Sequence, residues 1–354
     1  MIGADRARGV LARGVAARVF PGAACEAGTS QGVVWAAAAG AVSYEADAPR
    51  VTADTVYDLA SLTKPIAAAT VAMRLVQDGR LDLESAVTLV EPAWRGADRA
   101  QATVADLLEH AGGLTAWLPL WETHRGREAV VAAAAGAPLD SRPRERSIYS
   151  DLGFIVAGAL LERVGGEGLD RLFARAWQGP ASAPLVFRPP ADMRTRAAPT
   201  RFSDARERLL QGEVDDDNAW AMGGVAGHAG LFGTAGAVGV FARGVLSVLQ
   251  GEPAAERALV SRDVLRRFLQ PSAVPASSRA LGWDLMRPTS SCGGRMSSAA
   301  FGHTGFTGTS LWIDPVRDLY AVLLTNRVHP AAGPNEPMQE VRRAFHDALL
   351  DGAF

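Results

Sequence analysis

The sequence predicts an α+β protein with strands near both ends of the chain and helices between them. Near the C-terminus, the apolar runs Thr309–Ile313 and Leu319–Leu324 flank a turn at Asp314-Pro315, which indicates a central antiparallel hairpin. Near the N-terminus, Gly32–Tyr44 is rich in Val, Trp and Ala and indicates a pair of short strands. With 354 residues, 48% of them hydrophobic, the chain can bury the core of one or two packed domains.

Apolar residues recur at helical spacing in several other segments. Thr103 is placed to cap a helix that ends at Gly112-Gly113, and Gly79 follows another helix as its C-terminal cap. Residues 137–147 are predicted to form a charged loop, and residues 180–217 an irregular surface. The helix before Gly79 covers residues 65–77, and the other predicted helices cover residues 4–18, 154–164 and 338–349.

The composition favours small-molecule chemistry. A net charge of -2 and a pI near 6.3 provide no basic surface for nucleic acid or for an anionic membrane. Cys25 and Cys292 are too few and too far apart for a disulfide framework or a CxxC metal site. The six histidines contain no H-E-x-x-H pair, so the sequence predicts no metal and no other cofactor.

The N-terminal region does not resemble a signal peptide. Arginines interrupt its apolar residues, and Pro21 and the arginines before it argue against a lipoprotein box at Gly22-Ala23-Ala24-Cys25. No charge-free run reaches the roughly 18 residues needed to span a bilayer. We therefore expect a soluble, cytoplasmic protein that acts on a small molecule and needs neither a membrane nor a nucleic acid. The oligomeric state stays open.

Ser61 and Lys64 lie at the start of the helix predicted to end before Gly79. Residues at i and i+3 share one helical face, with Cβ atoms about 5 to 6 Å apart, so the hydroxyl and the amine are neighbours. A serine attacks once a base takes its proton, and Lys64 can be that base if burial, positive charge or the helix dipole lowers its pKa. Lys64 is the only lysine in the chain, and arginine cannot serve as a base. The pattern suggests Ser61 as a nucleophile, and the alternative is a chance pairing of the two residues.

A second constellation, Tyr149-Ser150-Asp151, stands between a loop and an apolar helix. A tyrosine at such a junction can pass a proton between a nucleophile and a leaving group. The alternatives are a packed aromatic ring for Tyr149 and a helix N-cap for Asp151.

Two further stretches carry candidate site residues. Five glycines surround His228 between residues 221 and 233, which indicates tight backbone packing or a ligand cradle, and a structural loop is the favoured interpretation of His228. His303-Thr304-Gly305 begins the C-terminal strands, where glycines leave room for a substrate along the strand edge. His303 is expected to face the serine and to exist in either charge state near neutral pH.

Together, Ser61-x-x-Lys64, Tyr149-Ser150-Asp151 and His303-Thr304-Gly305 resemble the three ordered motifs of the serine β-lactamase and penicillin-binding-protein superfamily. The flanking sequence is similar to the branch of class C β-lactamases, DD-peptidases and family VIII esterases. Residues 212–219 and 224–232 resemble a subgroup that includes muramyl-L-alanine amidases, which points to cell-wall fragments as substrates.

The resemblance implies a β-lactamase/transpeptidase-like fold with a central antiparallel sheet flanked by the terminal helices. The sheet region would comprise residues 1–64 and 220–354, and a mostly helical region would comprise residues 65–219, with the active site between the two.

The resemblance also assigns roles. Ser61 would form an acyl-enzyme, Lys64 and Tyr149 would handle its proton, and His303 would line the substrate strand with Thr304 and Gly305. The backbone N–H groups of Ser61 and Phe306 would form the oxyanion hole, with Asp151 and His228 as further substrate contacts.

Two residues depart from the family pattern. Asp151 stands where many relatives have asparagine, and a carboxylate cannot donate a hydrogen bond to a substrate carbonyl. His303 stands where β-lactamases commonly have lysine. The sequence therefore predicts a serine hydrolase acting on an amide or peptide. The alternatives are a carboxylesterase for small acyl esters, a weak β-lactamase, or a non-catalytic ligand-binding relative.

Overall fold

The computed structural model describes residues 3–351. Residues 1–2 and 352–354, which belong to the predicted sheet region, lie outside the described residues. The strands are β1 (Gly22–Thr29), β2 (Gly32–Gly40), β3 (Tyr57–Asp58), β4 (Val186–Phe187), β5 (Phe202–Ser203), β6 (Arg208–Leu209), β7 (Leu231–Gly233), β8 (Asp284–Leu285), β9 (Phe301–Thr304), β10 (Ser310–Asp314) and β11 (Leu319–Thr325).

The helices fill the segments between the strands and both ends of the described chain. They are α1 (Ala4–Ala16), α2 (Thr70–Gln77), α3 (Val87–Val90), α4 (Val104–Leu108), α5 (Arg127–Gly136), α6 (Asp151–Gly165), α7 (Leu169–Ala176), α8 (Ala191–Thr195), α9 (Asp217–Ala221), α10 (Ala235–Gln250), α11 (Pro253–Ala258), α12 (Arg262–Phe268) and α13 (Glu336–Leu350). Three 3₁₀ turns cover Ala60–Leu62, Leu120–Glu122 and Asp204–Arg206, and a π-helical segment covers Lys64–Ala69.

The main sheet has six strands in the order β2-β1-β11-β10-β9-β8, and all of its pairs are antiparallel. Helices α1 and α13 pack together, and their buried side chains share a core with one face of the sheet. Helix α10 contacts β1 and β11 within the larger core, which also holds the helices between β3 and β7. The predicted α+β class and the central hairpin, formed by β10 and β11, are confirmed. The division of the chain at residues 64 and 219 stays a prediction.

The N-terminal strand prediction is wrong in one respect. Residues 32–44 supply one strand, β2, and its partner is β1, which precedes it. Strand β1 consists mainly of glycine and alanine, so it lacks the branched and aromatic residues by which strands are recognised. It is nevertheless buried, because β2 and β11 flank it in the sheet. Strand β1 therefore forms because of its tertiary packing rather than because of the strand preference of its own residues.

Helix ends agree with local chemistry where capping residues are present. Thr103 and Asp106 form a reciprocal capping box at α4, although this helix ends at Leu108 rather than at the predicted Gly112-Gly113. Gly166 adopts a left-handed conformation at the end of α6. Among the helices of eight residues or more, α5, α7 and α10 were not predicted.

The glycine-dense stretch at residues 221–233 packs closely against the backbone of α6 at one position. A Cβ on Gly158 of α6 would lie 2.8 Å from the amide nitrogen of Gly227, so the helix and the stretch approach at glycine contact distance. This close approach brings His228 beside the helix that begins at Asp151. Among residues 3–351, no helix combines the length and the apolar character needed to cross a membrane.

Candidate active site

A cavity of about 780 Å³ brings most of the predicted site residues together. Lys64 is completely buried and donates hydrogen bonds to three residues of the cavity wall: Ser61, Asp151 and His228. The predicted residues that line the cavity are Ser61, Tyr149, Asp151, His228, His303, Thr304, Gly305 and Phe306.

The backbone before Ser61 is held in an unusual conformation. Ala60 has a φ of +48°, a left-handed value that a residue with a Cβ rarely adopts. Its amide donates to Asp58 Oδ1 at 2.8 Å, and its carbonyl accepts from Thr63 Oγ1 at 2.6 Å. These bonds fix Ser61 at the start of a continuous run of 3₁₀, π and α turns that ends at Gln77. The predicted helix start is therefore present, and its first turns include a π segment, a feature often found at functional sites.

The loop after β9 clamps the same backbone from the sheet side. Thr307 Oγ1 donates to the carbonyl of Asp58 at 2.8 Å, and Thr309 Oγ1 donates to the carbonyl of Leu59 at 3.0 Å. A Cβ on Gly305 would lie 2.7 Å from the Leu59 carbonyl oxygen, so only glycine fits there. The strand predicted to carry the substrate is thereby anchored to the segment that carries Ser61.

The Lys64 ammonium is surrounded by acceptors. Its Nζ donates to Asp151 Oδ1 at 2.6 Å, to Ser61 Oγ at 2.9 Å and to the carbonyl of His228 at 3.3 Å. Burial, the largest effect, lowers the pKa of Lys64, but the Asp151 carboxylate and Tyr149 together outweigh it, so the pKa lies above its ordinary value. The lowered pKa that was the condition for Lys64 to act as the base is not found here, because Asp151 stabilises the charged form.

Tyr149 completes the group around the predicted nucleophile. Its hydroxyl forms hydrogen bonds with Ser61 and Lys64, and its ring lies 4.8 Å from Lys64 Nζ. Burial raises the pKa of Tyr149, against the opposing effect of Lys64. The hydroxyl and the ammonium are therefore both protonated at neutral pH, and together they can share and relay protons.

His110 supports Tyr149 from behind, and the sequence carried no signal for it. The two rings lie 4.6 Å apart, and His110 Nδ1 accepts the backbone N–H of Ser150 at 3.0 Å. Burial, followed by the charges of Arg279 and Lys64, holds the pKa of His110 well below its ordinary value. The imidazole is therefore a neutral packing partner.

Ser150, rather than Asp151, is the N-cap of α6. Its Oγ accepts from the Gly153 amide at 3.1 Å and donates to the Thr115 carbonyl at 2.7 Å. The alternative interpretation of Asp151 as a cap is wrong. Because Ser150 caps the helix, the Asp151 carboxylate is available to Lys64.

His303 lies in the cavity wall as a neutral group. Its Nδ1 lies 2.8 Å from the Thr304 carbonyl, which identifies Nδ1 as the protonated nitrogen. Nε2 is buried and has no partner within residues 3–351. Burial first, then Arg279 and Lys64, hold the pKa of His303 well below its ordinary value, so the expectation of two charge states near neutral pH is wrong. Strand β8 pairs only with Phe301 and Gly302, which leaves the His303 end of β9 beyond that pairing.

The acidic run at residues 215–217 belongs to the site, so its interpretation as irregular surface is wrong. Asp216 Oδ1 lies 2.8 Å from His228 Nε2, and the His228 side chain is 1% exposed. Burial opposes ionisation of Asp216, but His228 and the amide of Ala219 lower its pKa to about 2. The favoured structural interpretation of His228 agrees with this buried pair, which forms part of the cavity wall.

Four arginines line the cavity, and no sequence pattern marked them, because arginine is common throughout the chain. They are Arg201, Arg279, Arg327 and Arg342. The Arg279 guanidinium lies 5.0 Å from the Tyr149 ring centroid. Within the described part of the chain, no group of three or more His, Cys, Asp or Glu side chains is arranged to hold a metal ion.

Known proteins resemble this chain in both sequence and structure. It is 31% identical over 324 residues to a putative D-alanyl-D-alanine carboxypeptidase of Escherichia coli, which covers 81% of this chain and 73% of that protein. It is 30% identical over 317 residues to an N-acetylmuramyl-L-alanine amidase of Bacillus subtilis, covering 80% and 70% of the two chains. A penicillin-binding protein homologue from Caulobacter crescentus has the same fold, with a TM-score of 0.76 at 20% identity and 98% coverage of both chains.

The family model that describes β-lactamases matches residues 7–344, which is nearly the whole sequence. This match confirms the resemblance to the superfamily of β-lactamases and penicillin-binding proteins and, with it, the predicted fold. The chain belongs to the β-lactamase family and is a serine hydrolase of that family.

Proposed function

We propose that the protein hydrolyses an amide or peptide bond in a cell-wall fragment through an acyl-enzyme on Ser61. The observation that carries this proposal is the contact of Ser61 Oγ with Lys64 Nζ at 2.9 Å, beside the Tyr149 hydroxyl in a substrate-sized cavity. The names of the curated relatives support the substrate class, since one is called a carboxypeptidase and the other an amidase.

In the acylation step, Ser61 Oγ bonds to the substrate carbonyl carbon and its proton passes to the Tyr149–Lys64 pair. The N–H groups of Ser61 and Phe306 stabilise the oxyanion. The C–N bond then breaks, and the pair returns the proton to the leaving amine. Water repeats the sequence on the acyl-enzyme, which releases the acid and restores Ser61.

The pKa values of the proton-handling pair determine its pH dependence. Since the pKa values of Lys64 and Tyr149 are both raised, the pair must lose one proton before it can accept the Ser61 proton. The rate of acylation is therefore expected to rise with pH through neutrality. Asp151 keeps Lys64 charged, so it acts here as a regulator of the base rather than as a hydrogen-bond donor to substrate.

The test is active-site labelling followed by a substrate panel. Intact mass after incubation with a fluorophosphonate should increase by one adduct, and peptide mapping should locate it on Ser61. Ser61→Ala should abolish both labelling and turnover. Ser147→Ala, which removes a serine outside the cavity wall, is the matched control and should behave as wild type.

The panel distinguishes the alternatives. Muramyl-L-alanine peptides, D-alanyl-D-alanine peptides, β-lactams and small acyl esters are compared by kcat/KM. Turnover of esters alone would support assignment as a carboxylesterase. Efficient turnover of β-lactams would support assignment as a β-lactamase. Labelling of another residue, or an active Ser61→Ala variant, would overturn the assignment of the nucleophile.

A further inference from the structure

One buried carboxylate, that of Asp58, connects two parts of the cavity wall. Asp58 ends β3, lies in the wall and is 3% exposed. Its Oδ1 accepts the backbone N–H of Ala60 at 2.8 Å, and its Oδ2 accepts the backbone N–H of Asp215 at 2.6 Å. The first amide belongs to the turn that presents Ser61, and the second belongs to the acidic run at residues 215–217.

Only an ionised side chain serves both amides well. A carboxylate has two acceptor oxygens and carries no proton. Protonation turns one of these oxygens into a hydroxyl, which is a weaker acceptor, and an asparagine would place an NH₂ group there that cannot accept at all. Either change leaves one buried backbone N–H without a good partner, which is costly.

No cation compensates this carboxylate. Within residues 3–351 Asp58 forms no ion pair. From β7 the apolar Phe232 lies opposite it, and from the loop after β9 the Thr307 hydroxyl bonds to its backbone carbonyl rather than to its side chain. The charged groups that act on it are the carboxylates of Asp215 and Asp216.

The cations of this region pair with other carboxylates, as Lys64 does with Asp151, His228 with Asp216, and Arg201 with Asp215 and Asp217. Burial first, and then Asp215, therefore raise the pKa of Asp58 to about 7, although the two amides oppose this shift. The two backbone N–H groups are thus the partners that favour its charged form.

The bond to Ala60 bears directly on the predicted nucleophile. Ala60 has a φ of +48°, and its peptide leads straight into Ser61. A rotation of this backbone would move both the Ser61 hydroxyl and the Ser61 N–H, which is the predicted oxyanion donor. Catalysis depends steeply on the placement of such groups.

We propose that Asp58 is a positioning residue, whose carboxylate keeps Ser61 aligned with Lys64 and with the oxyanion site by accepting both amides. The inference rests on the proposed function, because this alignment matters for acylation only if Ser61 is the nucleophile. The second amide extends the same support to the acidic run. Asp216 in that run pairs with His228, whose carbonyl accepts from Lys64.

Nuclear magnetic resonance tests the shared carboxylate without turnover. The amide protons of Ala60 and Asp215 are followed in the ¹⁵N-labelled protein between about pH 5.5 and 8.5. Both signals should shift with one common midpoint near pH 7, and both shifts should be absent in Asp58→Asn. The amide of Ala219 is the internal control, because it donates to Asp216, whose pKa is about 2, and should not follow that titration.

Kinetics test the positioning role. They are measured at about pH 8, where the Asp58 carboxylate is charged. Asp58→Asn should lower kcat and the rate of fluorophosphonate labelling by about 10- to 100-fold and change KM by less than about 2-fold, because the variant displaces reacting groups rather than a substrate contact.

Asp314→Asn is the matched control. Asp314 is likewise fully buried and accepts backbone N–H groups, of Ser297 at 2.6 Å and Val316 at 3.1 Å, but it lies outside the cavity wall. This variant should lose stability in urea denaturation and keep the wild-type kcat. Circular dichroism verifies that both variants fold.

Four outcomes would overturn the role of Asp58: different midpoints for the two amides, shifts that persist in Asp58→Asn, an unchanged kcat in that variant, or an equal loss of kcat in Asp314→Asn. A wild-type protein that shows the common titration but is never labelled on Ser61 would instead refute the proposed hydrolysis and leave the shared carboxylate in place.

Discussion

Lys64, behind the cavity wall, and Arg342, in the wall itself, are both buried cations, but their surroundings differ. Lys64 has the Asp151 carboxylate at 2.6 Å, whereas Arg342 has backbone carbonyls and a second arginine. Burial acts to lower the pKa of both, yet the pKa of Lys64 is raised and that of Arg342 falls to about 9. The partner charge, rather than the depth of burial, decides the direction.

The two cations therefore differ in whether the protein itself provides a negatively charged partner. Around Lys64 the chain supplies its own countercharge, so the group can hold and transfer a proton without a ligand. Around Arg342, residues 3–351 supply none, and the guanidinium donates to the backbone carbonyls of Gly305 and Thr309. The predictions below begin with the largest expected effect.

Lys64→Arg should reduce turnover by about 100- to 10,000-fold while the protein stays folded, because arginine keeps the charge beside Asp151 but cannot accept a proton. Steady-state kinetics measure the turnover, and circular dichroism shows whether the variant is folded. Near-normal turnover would show that Lys64 serves only as a structural cation.

Removing the two cations should affect stability differently. Lys64→Met leaves the Asp151 carboxylate, whose side chain is 20% exposed, without its partner, and should cost about 1–3 kcal/mol of unfolding free energy. Arg342→Met leaves carbonyls that keep their backbone partners, and should cost less than about 1 kcal/mol. Urea denaturation measures both variants, and a larger loss for Arg342→Met would contradict the comparison.

Asp151→Asn should shift the pH profile of acylation. Burial lowers the pKa of Lys64, and Asp151 and Tyr149 raise it, so removing the carboxylate leaves only Tyr149 to oppose burial and the pKa falls. A base with a lower pKa is deprotonated at lower pH, so the rising limb should move to lower pH and acylation at neutral pH should increase severalfold. Stopped-flow acylation across pH measures this, with Asp140→Asn, outside the cavity wall, as control. If the rising limb of the profile does not move, Asp151 does not control the pKa of the base.

His303→Gln should have the smallest effect on the shape of that profile. The pKa of His303 is held well below its ordinary value, so the ring is already neutral throughout the range of about pH 6 to 8 and contributes no limb there. We expect a loss of a few-fold at most in rate and superimposable profiles. If the wild-type profile has a limb near neutral pH and this limb is absent in His303→Gln, His303 does change its charge state in that range.

Local patterns predicted the elements that depend on neighbouring residues. The β10–β11 hairpin, the cap at Thr103 and the C-terminal helix α13 follow from apolar spacing and capping chemistry within short segments. Strand β1 could not be found this way, because its small residues become a buried strand only between β2 and β11. The acidic run was misjudged for a similar reason, since Asp216 is recognised as part of the site only once its partner His228 is beside it.

The sequence by itself determined that Ser61 and Lys64 meet, because residues three apart on a helix are neighbours whatever surrounds them. It also identified the family, since the three motifs are short and ordered along the chain. Only the tertiary structure decided the charge state of the pair, because Asp151 is 87 residues from Lys64 in sequence and 2.6 Å away in space. Electrostatic interactions depend on distances and burial across the folded molecule, so the pKa of a buried lysine and the unpaired charge of Arg342 cannot be obtained from local sequence.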